Sequence, residues 1–219
     1  MIKNFFCYGG GVLMALAMPL CAENSGLFLG VSYQIGSASF FQESKTQVQG
    51  ISETTSNKVE TTKPEDGAGI KLGYKQFFGN SKWFGLRYYA FLDYGYADFG
   101  TLKGKDRHSH MFNYGVGADT LWQVFDFPNI SFGFFCGGSV GADSWIGNGN
   151  YTNFQALVDA GLRTNLYKHH GFEVGVKVPF SQNKNFKTTK NSSYANTIEE
   201  NRTNVRYNSS FYASYFYTF

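Results

Sequence analysis

Ten charged residues recur at alternate positions within apolar, aromatic stretches: Lys71, Lys75, Arg87, Asp93, Asp119, Asp159, Arg163, Glu173, Lys177 and Arg206. Each shares its parity with glycines and small polar residues, while the opposite parity is almost wholly apolar. Charges confined to one face have two uses. They can pair with and neutralise one another, because an unpaired buried charge is expensive. Alternatively, they can line a narrow polar path for ions. The run Arg107-His108-Ser109-His110 sets a hydroxyl between two imidazoles, a pairing found in lipid-modifying barrel enzymes. A serine nucleophile needs a histidine in hydrogen-bond reach and a third group that orients it. Adjacent residues in a connection do not supply this. Two histidines are also too few to hold a zinc ion, and His169-His170 reads as a solvated turn. There is no glycine-rich phosphate loop and no CxxC pair. No enzyme activity, metal or cofactor is expected.

The elements that must carry these charges are strands. Leu27, Leu29, Val31, Tyr33 and Ile35 alternate with Phe28, Gly30, Ser32, Gln34 and Gly36. Seven further runs alternate in the same way, starting near residues 68, 85, 112, 130, 154, 172 and 205. This period of two is the signature of a half-buried strand. Each run approaches the roughly 9–11 residues that a tilted membrane strand requires. The expected fold is all-β, an eight-stranded antiparallel transmembrane β-barrel. Its interior is just wide enough to be filled by side chains.

Three features favour a barrel over a soluble sandwich. The connections alternate in length: 42–66, 97–109, 143–152 and 181–203 are longer, whereas 79–82, 126–129 and 167–170 are short. Outer-membrane barrels have short periplasmic turns and longer outer loops. The long connections are rich in Ser, Thr, Asn and Lys and read as hydrated loops. Aromatics gather near strand ends (Tyr74, Trp83, Tyr94, Trp122, Tyr207, Tyr215 and Tyr217), as interface girdles do. The chain stops inside a strand on Phe219, with Phe211, Tyr215 and Tyr217 on the same face. Those four residues read as a C-terminal assembly signal for the barrel-insertion machinery.

Residues 1–22 read as an export signal, with Lys3 ahead of an apolar stretch and cleavage expected after Ala22. Residues 23–219 then form the barrel. Cys7 and Cys21 leave with the signal, and Cys136 alone permits no internal disulfide. The chain carries 19 Lys and Arg against 16 Asp and Glu, a balance that excludes a strongly basic nucleic-acid binder. Charged residues are 16% and aromatics 19%, with 26 glycines, which excludes disorder and is unusual for a soluble enzyme. Mean hydropathy of −0.28 argues against helical spans, but not against strands that face lipid on one side only.

Residues 26–36, reading GLFLGVSYQIG, resemble the first strand of the Helicobacter outer-membrane protein family. The closing residues 211–219, FYASYFYTF, are similar to that family's last strand, and 161–166 and 170–179 to its late strands. The resemblance covers the first strand and roughly the last hundred residues. It implies a bacterial outer-membrane barrel, some relatives being adhesins and some porins. The large adhesins insert a helical domain after the first strand. Here only residues 42–66 occupy that place, so the resemblance carries no adhesin domain with it. The expected function is a structural, surface-exposed barrel with host-interaction loops. The alternatives are a small porin-like channel or a lipid-modifying enzyme. The expected partners are the lipid bilayer, lipopolysaccharide, the insertion machinery and a host surface ligand.

Overall fold

A computed structural model describes residues 23–48, 54–79, 82–102, 105–147, 150–182, 187–193 and 197–219. The export-signal expectation falls on residues 1–22, outside the described residues. Nine strands follow one another: β1 (Gly26–Val48), β2 (Thr54–Phe78), β3 (Phe84–Leu102), β4 (Lys105–Asp126), β5 (Ile130–Gly147), β6 (Tyr151–Leu166), β7 (His170–Gln182), β8 (Lys187–Ser193) and β9 (Thr197–Thr218). Strands β1 to β7 pair antiparallel in succession, and β9 pairs antiparallel with both β7 and β1. Strands β1–β7 and β9 therefore close an eight-stranded barrel. The short β8 pairs with β9 alone, outside the ring. Among the described residues there is no helix.

Closure removes every sheet edge within the ring, so each backbone group there finds a partner in a neighbouring strand. The two faces of the wall are inverted relative to a water-soluble protein. Leu27 is 58% exposed and Leu162 65%, whereas the inward Lys71 and Arg87 are each 2% exposed. Apolar side chains outside and charges inside are what a lipid solvent selects. The hydrophobic effect acts here between wall and bilayer, while polar contacts hold the interior.

The long connections depart from expectation. Residues 42–48 and 54–66 are strand: β1 and β2 stay paired as far as Gln47↔Thr54. At the other end of the chain, β9 stays paired with β1 out to Val48↔Thr197, and β8 adds to its free side. Thr and Val within residues 54–63 favour the pleated backbone, and the ladder that starts in the barrel wall continues through them. A four-stranded sheet, ordered β2, β1, β9, β8, thus projects beyond the ring. Strand β2 pairs with β3 only from Glu65 onward, leaving its outer edge open.

One register shift has large effects. Ser37 faces Ser209, but Ala38 faces Tyr207, so Asn208 is an extra residue in β9. Such a bulge exchanges the two faces beyond it. Tyr207, expected in the aromatic girdle, turns inward and is buried. Arg206, expected in the lumen, turns outward and lies over the Phe41 ring at 4.6 Å.

Candidate functional site: a filled lumen

Inward residues lie in layers from the short-turn end to the long-hairpin end. The first layer centres on Glu23, which precedes β1 and is fully buried. Its Oε1 accepts from Lys75 Nζ at 2.5 Å and from the Arg163 guanidinium. Its Oε2 accepts from Asn165 Nδ2 at 2.8 Å and Gln123 Nε2 at 3.0 Å. Burial alone would raise its pKa. Arg163 and Lys75 outweigh that and hold the carboxyl below its ordinary range. Ser25 completes the closure by accepting from the Phe77 amide at 2.9 Å.

The second layer is Arg87. Its Nε and Nη2 donate to Asp119 Oδ2 at 2.9 and 2.6 Å, and its Nη1 donates to Glu173 Oε1 at 2.6 Å. The Phe135 and Phe216 rings flank the guanidinium at 5.2 and 5.1 Å, within cation–π reach. Above it, Lys71 Nζ lies 3.7 Å from Asp159 Oδ2 and 4.6 Å from the Tyr89 ring centre. Tyr89 donates to Asp119 Oδ1 at 3.1 Å, linking these two layers. Next, Lys177 Nζ meets Asp93 Oδ2 at 2.5 Å.

These pairs cross the barrel. In a ring of eight, β3 stands opposite β7 and β2 opposite β6. Arg87–Glu173 and Asp93–Lys177 join the first pair of walls, and Lys71–Asp159 joins the second. Glycines make the crossings possible. A Cβ on Gly117 would lie 2.5 Å from the Tyr89 ring, and one on Gly175 would lie 3.0 Å from the rings of both Phe135 and Tyr212. The bare backbone is the space that a neighbouring strand's aromatic occupies, Tyr89 facing Gly117 and Tyr212 facing Gly175.

Beyond Asp93 come Gln34, Glu65, Asn113, Asp143, Asn153 and Gln155, all inward and buried. At the long-hairpin end the lumen turns apolar. Phe40, Phe99, Met111, Trp145, Leu157 and Tyr207 form one buried cluster with Ala38, Ala97 and Val205.

Nine of the ten sequence-identified charges lie in this lumen: Lys71, Lys75, Arg87, Asp93, Asp119, Asp159, Arg163, Glu173 and Lys177. Arg206 is the exception, placed outside by the Asn208 bulge. Sequence reasoning missed Glu23, which lies outside any alternating run. It also missed Glu65 and Asp143, which lay at the edges of segments taken as loops. With Glu23 counted, the ion-paired core holds five cations and five carboxylates. In Arg107-His108-Ser109-His110, Ser109 is buried inward, whereas the histidines stack outside with Tyr94 and Tyr96. The hydroxyl and imidazoles thus stand on opposite faces of β4. Among the described residues, no three His, Cys, Asp or Glu form a metal-holding group. The aromatics Phe211, Tyr215 and Tyr217 share the outward face of β9, and Phe219 follows directly after its end. The Phe219 amide donates to the Leu27 carbonyl at 2.9 Å, and Tyr215 Oη and His170 Nδ1 are 2.7 Å apart.

Among solved structures, the chain is similar to the outer membrane protein OprG from Pseudomonas aeruginosa, with 13% identity, a TM-score of 0.47, and 90% of this chain and 98% of that one covered. It is also similar to Neisserial surface protein A, with 10% identity, a TM-score of 0.41, and coverage of 90% and 100%. A third is Ail, the attachment invasion locus protein of Yersinia pestis, with 14% identity, a TM-score of 0.32, and coverage of 88% and 99%. No curated protein matches the chain. The family model for the Helicobacter outer membrane protein matches residues 69–219, well over half the chain, and this bacterial outer-membrane barrel belongs to that family.

Proposed function

We propose that the barrel is a closed, non-enzymatic membrane anchor and not a channel. Its role is to hold the projecting sheet outside the cell for contact with other surfaces. The observation that carries this reading is the Arg87 guanidinium, which spans the lumen between Asp119 and Glu173 with both contacts at 2.6 Å. Ions would have to break that bridge to pass, and the Glu23 cluster and the apolar cluster stand on either side of it.

Outer-membrane barrels keep short turns in the periplasm and long connections outside. Glu23 then closes the periplasmic mouth, and the four-stranded sheet stands at the cell surface. The open edges of β2 and β8 offer unpaired backbone groups to which an extended segment of a partner can add as a strand. Where β1, β2 and β9 meet, Phe41, Lys58, Glu60 and Arg206 line a hollow of about 400 Å³. The apolar wall contacts lipid, with lipopolysaccharide around its outer rim. The outward β9 aromatics ending at Phe219 are the segment offered to the insertion machinery.

The test is planar-bilayer conductance of refolded protein. We expect no channel events at concentrations where a porin control conducts. Reproducible unitary steps from the purified wild type would overturn the closed-anchor reading.

A further inference from the structure

Between the Lys177–Asp93 pair and the apolar cluster, the lumen changes character. Gln34, Glu65, Asn113, Asp143, Asn153 and Gln155 are each at most 6% exposed. Both oxygens of Glu65, both amide atoms of Gln34 and of Gln155, and one oxygen each of Asn113, Asp143 and Asn153 have no partner in the protein. Such groups are costly when buried. The charges are also uneven. The five lumen cations are matched by Glu23, Asp93, Asp119, Asp159 and Glu173, so Glu65 and Asp143 are two carboxylates in excess.

The register arranges the oxygens. Asp93 faces Asn113 across β3–β4, Asn113 faces Asp143 across β4–β5, and Asp143 faces Asn153 across β5–β6. Directly opposed residues hold their Cβ atoms about 4.5–5.5 Å apart. All four leave Oδ1 without a partner. The second oxygens of the two acids are engaged, Asp93 Oδ2 by Lys177 at 2.5 Å and Asp143 Oδ2 by Trp145 Nε1 at 2.8 Å. Asp93 leans away from this row, its Oδ1 lying over Gly69 of β2, so the row proper is Asn113, Asp143 and Asn153, one carboxylate and two amide oxygens. Glu65 reaches in beside Gly95, the next inward position after Asp93 on β3.

We propose that this row binds a hard divalent cation of the Ca²⁺ or Mg²⁺ class, held with part of its water shell. Such ions take carboxylate and amide oxygens, and Mg²⁺ in particular is held by one or two carboxylates while keeping several waters. A three-acid cluster is therefore not required. A double positive charge matches the two excess carboxylates, and retained waters reach the amides of Gln34 and Gln155. The apolar cluster above closes the chamber, so the ion is trapped as the barrel folds. The inference rests on the lumen being closed at its outer end. It does not depend on whether the projecting sheet binds a partner.

Terbium(III) is the probe, because Trp145 sits on Asp143 and can sensitise its emission. The full chain is refolded in detergent with terbium, then desalted in the presence of a chelator, and folding is checked by heat-modifiable gel migration. We expect tryptophan-excited emission that survives the chelator and is suppressed when excess Ca²⁺ is present during refolding. It should fall at least tenfold in Asp143→Asn, and in Asn153→Ala should the first variant fail to fold. Asp98→Asn, on the outer face, should leave it unchanged. No emission from folded wild type, immediate stripping by chelator, or undiminished emission in the folded row variants would each overturn the site. A barrel that conducts and loses terbium to the chelator would overturn both readings, whereas one that stays silent in planar bilayers yet gives no terbium emission would overturn the cation site and leave the closed anchor standing.

Discussion

Arg87 and Glu173 are 86 positions apart in sequence, yet they meet guanidinium to carboxylate at 2.6 Å across the full width of the lumen. Replacing Arg87 takes the nearest cation from two buried carboxylates, leaving Asp119 with the Tyr89 hydroxyl and Glu173 with Arg163 at 3.8 Å. We expect Arg87→Ala to destabilise the barrel by about 3–5 kcal/mol, the usual cost of removing one partner of a buried ion pair. The combined Arg87→Met, Asp119→Asn and Glu173→Gln variant should recover much of that loss. Urea unfolding followed by tryptophan fluorescence measures both, and a single variant as stable as wild type would refute the bridge.

Glu23 gives the short-turn end a pH dependence. Its folded carboxyl titrates below the ordinary value of 4.5 because Arg163 and Lys75 outweigh the effect of burial. A depressed carboxyl contributes stability that is fully present above the unfolded value and is lost as pH falls through the folded one. The Tm gap between wild type and Glu23→Gln should therefore be widest near neutral pH and narrow on acidification below about 4. A gap that widens with acid would contradict the assignment.

Gly117 has no room for a side chain, since the Tyr89 ring fills the place of its Cβ at 2.5 Å. Gly117→Val should push the ring aside and pull its hydroxyl from Asp119, costing about 1–3 kcal/mol as overpacking does. Pairing the change with Tyr89→Leu should restore part of the stability. If the double variant is no better than Gly117→Val alone, the ring is not the obstacle.

Trp145 is the largest fully buried side chain of the outer apolar cluster. Trp145→Ala should cost about 3–5 kcal/mol. It should still give no channels, because the ion-paired layers beneath remain. Conductance appearing in this variant alone would show that the apolar cluster, and not the charges, seals the barrel.

Phe219 closes the seam through its bond to Leu27 and packs edge-on against Tyr217, with ring centres 5.3 Å apart. Deleting it should lower the fraction of heat-modifiable, membrane-inserted protein in cells. Phe180→Ala, which removes a still more exposed outer aromatic from β7, should not. Equal yields from the two variants would count against a special role for the terminal residue.

Much of the lumen was legible because a strand shows its two faces at a period of two. Lys71, Arg87, Asp159 and Lys177 betray their direction by their neighbours' parity alone. What parity cannot show is a change of phase. Arg206 and Tyr207 were misplaced because one extra residue, Asn208, exchanges the faces of β9, and no residue type in that stretch announces it. Glu23 was hidden for another reason: it acts through a fold-back contact and not through membership of a strand. The polar runs at the outer ends of β1, β2 and β9 looked like loops because hydration and strand pairing are compatible outside the bilayer, where both faces of a sheet meet water.

The projecting sheet has a mechanical consequence. Strand β1 has 23 residues, about a dozen beyond the bilayer's need of roughly 9–11. At about 3.3 Å per residue that excess reaches some 40 Å along the strand. Its ladder with β2 runs unbroken into the ring, and its ladder with β9 is interrupted only at the Asn208 bulge, so tip and barrel form a single lever. A pull at the tip along the strands would shear many backbone hydrogen bonds at once, and not unzip them singly. Single-molecule pulling from the β1–β2 hairpin should therefore detach the barrel from the membrane in one high-force event; a low-force unravelling of the sheet beforehand would show a hinge at the membrane rim.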